Sequence, residues 1–179
     1  MPVPVVVPAT PAHKLKGMKL KIGGGSINWV EELSNLTLPF TLRYKFKIKE
    51  DCQLIPHYSV KRSQWGQGNE EGLTWFHATN RCDFTFRTEV FRSFPEITTA
   101  NTFTFEKNKS YKCKVEITQT GASYWINDKL YGKCNYSADK VLPGGTVGFW
   151  TWENISHPCV IKNLKLNEGV DSDSGSDSD

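Results

Sequence analysis

The chain lacks any run approaching the roughly 20 apolar residues that a membrane-crossing helix needs. It lacks paired cysteines at metal spacing as well. Cys52, Cys82, Cys113, Cys134 and Cys159 stand apart, which excludes the common zinc ribbons and knuckles. His13, His57, His77 and His157 form no HxH or HExxH pattern, so no metal and no cofactor is expected. Gly23-Gly24-Gly25-Ser26 has no following Lys-Ser/Thr and no helix behind it, so it reads as a strand connection and not as a phosphate loop. A convincing 3.6-residue apolar period is also missing. The nearest stretch, Trp29 to Leu36, makes at most one or two helical turns.

These absences remove most catalytic classes. A Cys82–His77 nucleophile pair would need the fold to bring the two together, and nothing in their spacing does so. His157-Pro158-Cys159 reads as a turn ahead of a last strand. The reading is therefore of a chain with no catalytic residues, leaning away from an enzyme. Five cysteines leave at least one thiol unpaired in a monomer, and reduced, buried cysteines acting as small apolar groups are expected.

What is present suits one folded body. The 179 residues are 38% hydrophobic and 12% aromatic, enough for a single domain with a sizeable core. Residues 1–13 are expected to be a flexible proline-rich arm, 14–167 the folded body, and 168–179 an acidic, disordered Asp/Ser tail. The start, Met1-Pro2-Val3-Pro4, has no basic n-region and is broken by prolines, so no signal peptide is expected and the cytoplasm is favoured, with an extracellular or virion setting left open. The Asn-x-Ser/Thr tripeptides at Asn35, Asn108, Asn135 and Asn154 are then accidental.

The net charge of +3 conceals an asymmetry. No Lys or Arg follows Lys165, and the five carboxylates after Asn167 leave residues 1–167 at +8. Ser174 and Ser176 each precede an Asp by three residues, a pattern suited to an acidophilic kinase.

The body reads with period 2 and a turn signal every eight to twelve residues. In Phe40–Lys49, Leu42, Tyr44, Phe46 and Ile48 fall on one face and Arg43, Lys45, Lys47 and Lys49 on the other. Phe84, Phe86 and Val90 alternate with polar residues, as do Phe103 and Phe105, and Tyr111, Cys113, Val115 and Ile117. Thr120-Gly121 and Asn127-Asp128 are expected to be tight hairpin turns, because Gly, Asn and Asp tolerate positive φ. The expected fold is all-β: a two-sheet antiparallel sandwich of jelly-roll form.

Asn108 to Leu166 carries a family likeness. Lys109-Ser110-Tyr111-Lys112-Cys113-Lys114-Val115-Glu116-Ile117 is followed by Tyr124-Trp125-Ile126-Asn127-Asp128-Lys129-Leu130, then by Gly144-Gly145-Thr146-Val147-Gly148-Phe149-Trp150-Thr151-Trp152, and last by Val160-Ile161-Lys162-Asn163-Leu164-Lys165-Leu166. This order resembles the C-terminal half of concanavalin A-like lectin/glucanase sandwiches, laminin-G-like modules included, with Asp128 where that family usually has Gly. The resemblance implies a concanavalin-like fold and a lectin-like, glycan-binding role. Its enzymatic members use a Glu-x-Asp-x-x-Glu strand to set two carboxylates about 5 Å apart. That run is missing here, and Glu70-Glu71 would point to opposite faces of a strand. A glycosidase with an unrecognised site remains the weakest alternative.

Aromatic placement nominates the ligand site. If Val147 and Phe149 face the core, Trp150 and Trp152 lie outside, and Trp125 lies opposite Tyr124 and Ile126. An indole stacks on the apolar face of a sugar ring. Lys61–Asp83 reads as a loop adding Trp65, Trp75, Asn80 and Asp83, hydrogen-bonding groups mixed with indoles. The expected ligand-binding set is thus Trp125, Trp150, Trp152, Trp65, Trp75, Asn80 and Asp83. The stripe Arg43, Lys45, Lys47 and Lys49, with a second cluster at Lys14, Lys16, Lys19 and Lys21, offers an alternative polyanion site. The acidic tail could compete for that stripe. A glycan is the expected partner, protein partners could engage the terminal arms, and nucleic acid is not expected. The competing reading is a coat or capsid-associated assembly subunit with the sandwich as scaffold.

Overall fold

The structure, a computed structural model, describes residues 15–62, 72–75, 77–78, 88–89, 97–100, 105–136, 141, 143–151 and 154–169. The 1–13 arm and residues 170–179 of the tail lie outside these, as do Trp65, Asn80, Asp83, Phe84, Phe86, Val90, Phe103 and Trp152. The strands are β1 (Lys19–Ile22), β2 (Asn28–Trp29), β3 (Phe40–Lys47), β4 (Gln53–Ser59), β5 (Gly72–Trp75), β6 (His77–Ala78), β7 (Thr88–Glu89), β8 (Ile97–Ala100), β9 (Ser110–Ile117), β10 (Gly121–Ile126), β11 (Lys129–Asn135), β12 (Thr146–Thr151) and β13 (Cys159–Glu168). They form two antiparallel sheets. One has seven strands in the order β1-β13-β3-β9-β10-β11-β8. The other has six, in the order β2-β12-β4-β5-β7, with β6 also on β4.

Alternation dictates which side chains fill the space between the sheets. Leu42, Tyr44 and Phe46 of β3 are buried, as are Tyr111, Cys113, Val115 and Ile117 of β9 and Tyr124 and Ile126 of β10. They meet Leu54 and Tyr58 of β4, Leu73 and Trp75 of β5, and Val147 and Phe149 of β12 in one cluster. Burying each such large side chain contributes about 1.5–3 kcal/mol. The contact is aromatic in detail: Tyr44 meets Phe149 edge to face at 5.5 Å between centroids, and Phe46 stacks on His77 at 4.1 Å.

One of the two expected hairpin turns forms as the sequence implies and the other differs. Asn127 (φ 48°) and Asp128 (φ 66°) do form the two-residue β10–β11 hairpin, both in the left-handed region. Gly121, by contrast, has no positive φ and opens β10. The β9–β10 turn is held by Thr118, whose hydroxyl accepts from the backbone N–H groups of Thr120 and Gly121. The Tyr136 hydroxyl braces it by donating to the Gly121 carbonyl at 2.8 Å. Trp29–Leu36 holds only a 3-10 turn at Glu31–Leu33.

The expected Lys61–Asp83 loop is broken by β5 and β6. β4 has the continuously buried pattern of a strand covered on both faces. Pro56 lies within it, a residue that usually argues against a central strand. The ladder on that side is interrupted there: Leu54 pairs with His77 of β6, and His57 pairs with Thr74 of β5. Pro56 pairs only with Phe149 of β12 among the described residues.

Candidate functional site

The sandwich presents two outer faces, and the tryptophans expected to share one site are divided between them. Trp125 is on β10 of the seven-stranded sheet, and Trp150 is on β12 of the six-stranded sheet. They point to opposite sides of the molecule. Trp75 is not a loop residue. It is fully buried on β5, with its indole N–H donating to the Tyr44 hydroxyl at 2.9 Å, so it cannot stack on a ligand. Trp150 does lie on the face opposite Val147 and Phe149, but it is only 8% exposed, packed with Ile27, Ile55 and Trp29.

On the six-stranded sheet, register places Trp29, Gly148, His57 and Thr74 in one row across β2, β12, β4 and β5. Trp29 is half-buried, and Gly148 is what allows it to lie down. A Cβ at Gly148 would come within 2.7 Å of the Trp29 ring and 2.8 Å of Ile27. His57 sits between the indoles, 6.4 Å from Trp29 and 6.0 Å from Trp150 by ring centroids. Burial pushes its pKa down to about 3, so the imidazole is neutral at ordinary pH. The indole Nε1 of Trp29 is buried without a hydrogen-bond acceptor among the described residues.

Polar groups border this ring. Thr146 lies two residues before Gly148 on the same face of β12, about 6.8 Å away along the strand. Its hydroxyl accepts from Arg62 Nε at 3.1 Å, and the Arg62 guanidinium also binds the Glu31 carboxylate. Both charged side chains reach solvent, at 38% and 72% exposure. Asn28 is exposed beside Trp29 and spends its amide N–H groups on the Ser26 and Phe149 carbonyls. Sequence reasoning missed Trp29, Glu31 and Arg62. In the sequence Trp29 stands at the start of a helical-turn pattern and Arg62 near the start of a polar loop, so neither carries a site signal.

The outer face of the seven-stranded sheet is cationic. Arg43, Lys45 and Lys47 project from β3, half-buried, with Lys49 exposed just beyond it. Cross-strand register adds Lys112 and Lys114 from β9, Lys162 and Lys165 from β13, and Lys19 and Lys21 from β1. Trp125 pairs with Lys114, whose ammonium stands 4.5 Å from the indole centroid.

No protein-family model and no curated protein sequence matches the chain. Solved structures do. The Caenorhabditis elegans galectin LEC-6 superposes with a TM-score of 0.55 at 6% identity, over 83% of this chain and 95% of that one. The carbohydrate binding module CBM66 from Bacillus subtilis gives 0.54 at 14% identity, over 83% and 94%. The exoplasmic/lumenal domain of VIP36, in a Ca2+/Man3GlcNAc-bound form, gives 0.57 at 13% identity, over 85% and 78%. The fold is thus the concanavalin-like, galectin-like β-sandwich that the C-terminal strand order resembles.

Proposed function

We propose that this chain is a non-catalytic carbohydrate-binding module that takes a neutral sugar at the β2–β12 edge of its six-stranded sheet. The observation that carries this reading is the half-exposed Trp29 ring, seated on Gly148 beside the solvent-facing Arg62–Glu31 pair. An indole held flat by what lies beneath it supplies stacking area at little entropic cost. The guanidinium and carboxylate of the Arg62–Glu31 pair, anchored on Thr146 one two-residue step along β12 from Gly148, supply a donor and an acceptor for hydroxyls, the mixture such sites use. Neutral His57, edge-on to the Trp29 ring at 6.4 Å, and Trp150, packed in the same cluster, are both buried and do not themselves reach the ligand. The fold's other members named above include a galectin and a carbohydrate binding module, which agrees with this role.

The test is a glycan array of neutral and sulfated sugars, followed by calorimetric titration of the best neutral ligand in 0.15 M and about 1 M NaCl. Binding that survives high salt and falls at least tenfold in Trp29→Ala and in Arg62→Ala supports the site. Neutral-sugar binding untouched by either substitution would move the site elsewhere, and no neutral ligand at all would remove the reading.

A further inference from the structure

We propose that the outer face of the seven-stranded sheet is a second, separate site, for sulfated polysaccharide. It does not depend on the neutral-sugar site, which lies on the opposite sheet.

The argument starts from register. Lys19 of β1 pairs with Lys162 of β13, Lys162 with Lys45 of β3, and Lys45 with Lys112 of β9. Four ammonium groups therefore stand side by side on four neighbouring strands, spanning about 14 Å at the ordinary strand spacing. One two-residue step along β3 lies a second row: Lys165, Arg43, Lys114 and then Trp125.

A β-bulge makes the second row possible. Between Lys162 and Lys165 the strand β13 carries one residue more than β3, with Asn163 at φ 57°. Without the extra residue, side chains three apart would point to opposite faces. With it, Leu164 turns into the core and Lys165 stays outside with Lys162.

Like charges directly opposite one another destabilise a sheet. Lys112 pairs with Asp128 at 3.8 Å, and Glu116 lies further along β9 opposite Thr41. Lys19, Lys45, Lys162 and Lys165 make no ion pair among the described residues. Two shallow clefts run over the same surface. One of about 380 Å³ is lined by Arg43, Lys45, Lys112, Lys114 and Lys165 with the single carboxylate Asp128, and one of about 230 Å³ by Lys19, Lys47, Lys49 and Lys162.

The partner's chemistry follows from what the face offers. A grid of cations at about 4.8 by 6.8 Å suits a linear chain with closely spaced anionic groups. Single-stranded nucleic acid is held by successive aromatic platforms, and among the described residues this face offers one half-buried indole, Trp125. A duplex would need an element that enters a groove, and among the described residues this face carries no helix. One ring beside a field of ammonium groups fits a sulfated sugar chain: stacking on one pyranose, and ion pairs to sulfates on either side.

The experiment is calorimetric titration of the full chain with heparin, with fully desulfated heparin and with a length-matched oligo(dT), at 50, 150 and 500 mM NaCl. Heparin should bind with an affinity that falls steeply with salt, desulfated heparin should not, and oligo(dT) should bind more weakly than heparin at each salt. Lys45→Ala with Lys162→Ala should weaken heparin at least tenfold. Lys61→Ala with Lys107→Ala, removing the same charge elsewhere, should cost less than twofold. Trp29→Ala should leave heparin binding intact. Equal losses in the two double variants would reduce the effect to net charge and overturn the site. Tighter binding of oligo(dT) would overturn the choice of partner. Melting curves for all variants separate binding from folding.

Discussion

The Tyr44 hydroxyl lies 2.9 Å from His77 Nε2 and also 2.9 Å from the Trp75 indole nitrogen, so one phenol joins the two sheets at the centre of the core. The indole can only donate. Tyr44 therefore accepts from Trp75, while the tautomer of the neutral His77 ring sets which partner donates in the second bond. Burial agrees from both sides: it pushes His77 down to about 3 and the Tyr44 phenol well above its ordinary value.

Tyr44→Phe removes this junction while keeping the ring. Denaturant unfolding should show a loss of about 1–3 kcal/mol with an unchanged slope, because two buried polar groups lose the hydroxyl they bond to. An unaltered midpoint would mean that the junction contributes nothing net.

Acid should weaken the fold early. His57 and His77 each titrate near 3 when folded, against 6.5 in the open chain. Between those values the unfolded chain binds more protons. The contribution is complete above pH 6.5 and declines as pH falls toward 3, by about 1.4 kcal/mol per pH unit for each histidine. Urea midpoints at pH 7.5, 6 and 5 should fall in that order, and a flat profile would show that neither ring is held neutral.

Gly148→Ala tests the seat of Trp29. The new methyl would meet the Trp29 ring and Ile27 well inside contact distance, so the indole must move. The expected outcome is at least a tenfold loss of neutral-sugar affinity with a stability cost of about 1–3 kcal/mol. Heparin binding should not change.

Cys52 and Cys159 sit with their sulfurs 3.5 Å apart, both buried and both in the thiol form, one just ahead of β4 and the other opening β13. A disulfide requires about 2.05 Å. Diamide, taking up the two electrons and two protons, should join them into a product two hydrogens lighter that melts higher, since the link closes a long loop in the unfolded chain. Non-reducing peptide mapping would show the bond, and Cys52→Ser should abolish it. Failure to form under denaturing-free oxidation would mean that the sheets cannot close the gap.

Much of the architecture was legible in the residues. The alternation of Phe40–Lys47 and Ser110–Ile117 assigned each side chain its face, because period 2 is a local property of extended backbone. β4 was not legible, since a strand buried on both faces loses its alternation and Pro56 argued against it. Trp75 and His77 were lost with it, as strands β5 and β6 acquire their meaning only by pairing with β4.

By itself, then, the order of residues determined the all-β class, the inner face of the long strands and the Asn127-Asp128 hairpin, each a matter of local backbone preference. Tertiary structure alone decided that Trp125 and Trp150 look to opposite sides, because sheet membership depends on which distant strand a segment pairs with. It also decided that lysines from β1, β3, β9 and β13 form one face. Strand pairing brings together residues more than a hundred positions apart, and a single extra residue at Asn163 sets which way the last of them points.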